Sequence, residues 1–128
     1  MNKPTILLYD PLSSPWAAKV KTICAIKGFR FHMVDAPELD QSLLALLEGE
    51  ASGEHAPGAP LPEPVMVFCH LTAPQLDHLL PELGKLGARG CLKAMLTPTN
   101  KSWTLRQLYA ELCRERAELG THTPKKES

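Results

Sequence analysis

The chain has 128 residues, 44% apolar and 22% charged, which suits one folded globular domain and excludes a disordered chain or two ordinary domains. Fourteen basic residues balance fourteen acidic ones, so no net field draws the protein to nucleic acid or an anionic membrane. A domain of this length buries roughly two-thirds of its unfolded surface, enough for a core without disulfides or metal.

Residues 1–64 carry five basic and eight acidic groups, and residues 65–128 carry nine and six. The second half is basic but too mixed to form a phosphate-binding stripe. The first apolar run, Ile6 to Tyr9, stops at Asp10. It is too short for a signal-peptide core or a membrane span, so the expected location is cytoplasmic. Cys24, Cys69, Cys91 and Cys113 stand far apart with no Cys-x-x-Cys pair. Reduced core thiols are therefore expected, with no metal and no cofactor.

In chain order, Thr5 to Tyr9 reads as a strand, followed by a turn from Asp10 to Pro15. Ser14 is the expected helix cap and Pro15 the first helical residue. Trp16, Val20, Ile23 and Cys24 recur at helical spacing until Gly28. Phe29 to Val34 is the second strand. Asp35 and Glu38 have the spacing of a capping box before the stripe Leu39, Leu43, Leu46 and Leu47. Gly49 to Pro64, rich in glycine and proline, is expected to be a mobile linker.

Val65 to Cys69 is the clearest strand. Thr72 to Gln75 fits a second capping box, leading into Leu76, Leu79, Leu80 and Leu83. Pro81 is expected to kink this helix or end it early. Cys91 to Leu96 is the fourth strand. Thr97 to Ser102 turns into the last helix, which buries Leu105, Leu108, Leu112 and Leu119. Residues 121–128 read as a disordered tail.

The fold class expected is a single α/β domain over residues 1–120, in the order β-α-β-α-linker-β-α-β-α. A mostly parallel four-stranded sheet in the order 2-1-3-4 carries helices on both faces. A ferredoxin-like α+β arrangement of two split βαβ units is the alternative. The two halves share a plan that hints at duplication, though residue identity between them is weak.

The run Leu92-Lys93-Ala94-Met95-Leu96-Thr97-Pro98-Thr99-Asn100-Lys101-Ser102-Trp103, with Leu108-Tyr109-Ala110-Glu111-Leu112 after it, resembles the signature of a family of small bacterial proteins catalogued as a domain of unknown function. The resemblance covers most of residues 5–118, is sharpest over 92–112, and implies no assigned activity. A fainter similarity links the opening, Leu8-Tyr9-Asp10 to Asp35, to glutaredoxins and glutathione transferases. Ser13-Ser14-Pro15-Trp16-Ala17 stands where their Cys-Pro-x-Cys motif lies, so the attacking thiol is absent. The second half has the cadence of a receiver domain, but only Asp10 and Asp35 are available as its acids.

In an open parallel sheet, ligands bind beyond the carboxyl ends of the strands. Four loops are expected to converge there: Asp10 to Pro15, Asp35 to Pro37, His70 to Pro74, and Thr97 to Ser102. Thr97, Thr99, Asn100, Lys101 and Ser102, with Asp10, are the candidate polar groups for a small-molecule, phosphate or other anion site. The competing reading is that these residues turn the chain and cap the helix. Cys69 and His70, as strand neighbours, point to opposite faces and form no nucleophile–base pair. Without an acid pair or metal cluster, the sequence points first to a non-enzymatic binding or protein-interaction domain. Its partner would be another protein or a second copy of itself, with no nucleic acid and no membrane. The anion site, enzymatic or not, is the alternative.

Overall fold

The computed structural model describes residues 3–49, 60–88 and 91–122, with side chains described as far as residue 118. Two strand–helix–strand–helix halves share one four-stranded sheet. The elements are β1 (Thr5–Tyr9), α1 (Ala17–Lys27), β2 (Arg30–Met33), a 3-10 turn (Ala36–Asp40), α2 (Leu43–Glu48), β3 (Val65–Cys69), α3 (Ala73–Leu86), β4 (Leu92–Met95) and α4 (Leu105–His122). Gly53, Pro57 and Gly58 of the expected linker, and residues 123–128 of the expected tail, lie outside the described residues.

The strand order is β2-β1-β3-β4, as the sequence suggests, but the sheet is mixed. β1 and β2 run parallel, as do β3 and β4, while β1 and β3 are antiparallel. The expectation of a mostly parallel sheet is therefore corrected. The cause lies in the connection. α2 carries the chain across the sheet, so that Leu47, Glu48 and Gly49 lie beside Thr5 and Arg30, where β1 and β2 begin. Leu61 is back at the opposite edge, with its N–H and carbonyl bonded to the Tyr9 hydroxyl at 2.9 and 3.0 Å. β3 therefore starts where β1 ends, with Val65 opposite Tyr9.

Every residue of β1 and β3 is buried, which explains their unbroken apolar runs: both faces are covered. Ile6, Leu8, Met66 and Phe68 pack on one face against Val20 and Cys24 of α1 and Leu79 and Leu83 of α3. Leu7, Tyr9, Val65, Val67 and Cys69 pack on the other, against Leu39, Leu43 and Leu46 and against Leu105 and Leu108 of α4. The Asp35–Glu38 capping box forms as read, but it starts the 3-10 turn. A separate cap, Ser42, accepts from Ala45 N–H at 3.0 Å to begin α2. α3 forms with the Thr72–Gln75 capping box and continues through Pro81 to Leu86. Pro81 is on the exposed side, and the buried Leu79 and Leu83 hold the helix on both sides of it. Among the described residues, no helix is long and apolar enough to cross a membrane.

Candidate functional site

The antiparallel centre splits the expected loop cluster in two. Asp10 and Asp35 follow β1 and β2 at one edge of the sheet, while His70 and Thr97 to Ser102 follow β3 and β4 at the other. The six candidate residues therefore do not form one site. Asp10 is committed to its own turn: its carboxylate accepts from Leu12 N–H at 3.2 Å, Ser14 N–H at 2.7 Å and the Ser14 hydroxyl at 3.0 Å. This capture of Ser14 removes the expected helix cap. α1 begins instead at Ala17, with Trp16 in helical geometry and no side-chain cap.

The turn after β4 is also largely self-satisfied. Asn100 is only 7% exposed. Its Oδ1 accepts from Thr97 N–H at 2.8 Å and its Nδ2 donates to Met95 carbonyl at 3.0 Å. The Thr97 hydroxyl accepts from Asn100 N–H at 3.1 Å. Thr99 and Ser102 are exposed. The cap of α4 is a residue the sequence reading passed over: Thr104 Oγ1 accepts from Gln107 N–H at 3.1 Å, while Gln107 Oε1 accepts from Thr104 N–H at 2.8 Å. Thr104-Leu105-Arg106-Gln107 has the capping-box spacing, so the signal was present.

Lys101 differs from its neighbours. It lines a cavity of about 320 Å³ at the edge where β3 ends and β1 begins. Lys3, Arg30 and His70 line the same cavity, together with buried Thr5 and the acid Glu48. Leu44, Leu47 and Leu96 form its apolar wall. Three fixed cations thus face one acid, and no carboxylate among the described residues forms an ion pair with Lys3, Arg30 or Lys101. His70 adopts a left-handed backbone, with φ of 63°, immediately after β3. For a residue with a side chain this conformation is uncommon, and such positions cluster at functional sites.

Sequence reasoning placed the His70 loop beside Thr97 to Ser102 but missed Lys3 and Arg30 as partners of Lys101. Nothing in local spacing joins them. Only the antiparallel sense of β3 brings the start of β1 and β2 beside the end of β3 and β4.

Thr97, Thr99 and Asn100 line a different cavity of about 310 Å³, with Trp103, Leu108 and Leu112, between β4 and α4. At the far edge, Glu63 accepts from the Tyr109 hydroxyl at 2.8 Å and from Arg116 at 2.9 Å. The Arg116 and then the Tyr109 hydrogen bonds hold the Glu63 carboxyl down at about 2. Burial pushes the Cys24 thiol up to about 11 and those of Cys69 and Cys91 to about 12, far from nucleophilic thiolates. Among the described residues, no three His, Cys, Asp or Glu side chains gather as a metal site.

No curated protein and no solved structure matches the chain. One family model does, over the second half alone, so the first half lies outside the match. From the residue before β3 through most of α4, residues 64–119, the chain matches the model of a family described as a domain of unknown function, DUF3783.

Proposed function

We propose that the protein is a non-enzymatic binding module that takes a small anionic molecule in the cavity lined by Lys3, Arg30, His70 and Lys101. The observation that carries this reading is the convergence of three cations and a histidine on one concave surface that holds one acid, Glu48, among the described residues. A cavity of about 320 Å³ is at the small end of the range for metabolite sites. The cations suit a phosphate or carboxylate head, and Leu44, Leu47 and Leu96 suit a compact apolar body. Thr5 adds no free hydroxyl hydrogen, because its Oγ1 donates to Lys3 carbonyl at 2.9 Å and fixes the strand start instead.

Thermal unfolding with inorganic phosphate and with acetate tests the proposal. A ligand that binds only the folded state raises the melting temperature by mass action. Arg30 and Lys101 are exposed, so Arg30→Ala and Lys101→Ala should leave the ligand-free melting temperature nearly unchanged. Both should remove most of the ligand-induced rise. A wild-type curve unmoved by either anion at about ten millimolar, where a millimolar Kd adds about 1.4 kcal/mol, contradicts the proposal.

A further inference from the structure

The two halves are related by a two-fold axis through the centre of the sheet. In the β1/β3 ladder Thr5 faces Cys69 and Tyr9 faces Val65, so adding 60 to a β1 residue number gives its β3 equivalent, and Leu7 meets its own equivalent, Val67. Thr5 faces Arg30 and Val65 faces Leu92, so β2 and β4 correspond at an offset of 62. The connecting hydrogen bonds repeat at these offsets. Arg30 N–H donates to Pro4 carbonyl at 2.9 Å, and Leu92 N–H to Pro64 carbonyl at 3.1 Å. Val34 N–H donates to Leu8 carbonyl at 2.7 Å, and Leu96 N–H to Phe68 carbonyl at 2.9 Å. Asp35 N–H reaches Glu38 Oε1 as Thr97 N–H reaches Asn100 Oδ1. Ser42 and Thr104, the equivalent helix caps, pair with each other in an antiparallel bridge.

A separate observation points the same way: the family match covers one half, residues 64–119, and stops there. Alone, that half would leave the wholly apolar β3 unpaired on the side where β1 now lies, a strand edge that demands a partner. An interface built on a two-fold axis is self-complementary.

We infer that the β3 edge and the start of α4 form a pairing surface for a second copy of the same module, and that residues 3–49 fill that partner's place within this chain. The partner class is thus a βαβα module of this chain's own kind, joined strand to strand about Val67. In the fused pair the two ends have diverged: Lys3 and His70 face the cavity, while their equivalents, Glu63 and Asp10, are held in hydrogen bonds.

The test uses the full-length chain with Leu7→Pro and Val67→Cys. Leu8 carbonyl faces β2, so the peptide groups of Leu7 face β3. Proline at position 7 therefore disrupts the seam at its centre. Released from β1, the second module should pair with that of another copy, doubling the mass from 14.1 kDa. Cysteines at position 67 would then face each other at about 5.5 Å between Cα atoms, within disulfide range. Mild oxidation should give a dimer joined 67 to 67, identified by peptide mapping. A companion chain, Leu7→Cys with Val67→Cys, should close the same bond within one molecule and shows that the position can be cross-linked. If the Leu7→Pro chain is unfolded by circular dichroism or remains monomeric, or if the 67–67 link is absent while the companion closes, the inference is overturned.

Discussion

Replacing Asn100 with alanine removes two side-chain hydrogen bonds, one received from Thr97 N–H and one given to Met95 carbonyl. Each contributes about 0.5–1.5 kcal/mol net, and the group is nearly buried, so the expected loss is about 2 kcal/mol. For a domain of this size that lowers the melting temperature by about 6–10 °C. Urea unfolding is the assay: the midpoint should fall while the slope with denaturant stays constant, because the surface exposed on unfolding does not change. Phosphate binding should survive in the Asn100→Ala protein, since Asn100 lines the groove beside α4 and not the cavity of Lys101. Lys101→Ala should show the converse, with stability within about 0.5 kcal/mol of wild type and binding lost. An Asn100→Ala protein of unchanged stability that no longer binds phosphate would refute this division of roles.

Other expectations concern the caps, the far edge and the thiols. Thr104→Ala should cost about 1 kcal/mol as a lost helix cap, against at most about 0.5 kcal/mol for exposed Ser102→Ala, measured by urea unfolding. Glu63 titrates near 2 in the folded protein against 4.5 without partners. Its folded-state value is depressed, so its contribution is present above pH 4.5 and is lost as pH falls toward 2. Because the pair is exposed the effect is small: acid unfolding curves should show wild type losing slightly more stability over that range than Arg116→Ala, and equal slopes would contradict it. Alkylation of native protein at pH 8 should modify half-buried Cys113 before Cys24, Cys69 or Cys91, whose thiols burial holds protonated. Early labelling of Cys69 would be inconsistent with its place under α2 and α4.

The central strands were legible because Ile6 to Tyr9 of β1 and all of β3 are unbroken apolar runs, and the helices on both faces because Val20 and Cys24, Leu43 and Leu46, Leu79 and Leu83, and Leu105 and Leu108 recur at helical spacing. The direction of β3 was not legible. A helical stripe after β2 normally signals a crossover to a parallel strand, and the stripe does not report the direction in which β3 runs. That single geometric bit decided the candidate site. With β3 parallel, Asp10 would stand beside Thr97 to Ser102; with β3 antiparallel, Lys3 and Arg30 stand there instead. Local competition hid the rest. Asp10 outbids the helix for Ser14, and Asn100 bonds back to Met95, so neither Ser14 nor Asn100 caps the helix it precedes.

Backbone amide shifts during titration with inorganic phosphate would locate the bound anion as well as detect it. Saturable shifts should concentrate at Thr5, Arg30, His70 and Lys101, which meet at one sheet edge although they lie far apart in sequence, with Asp10 and Ser14 unmoved. Saturable shifts confined to Thr99 and Trp103 in the groove beside α4, or no saturable shifts at all, would contradict it.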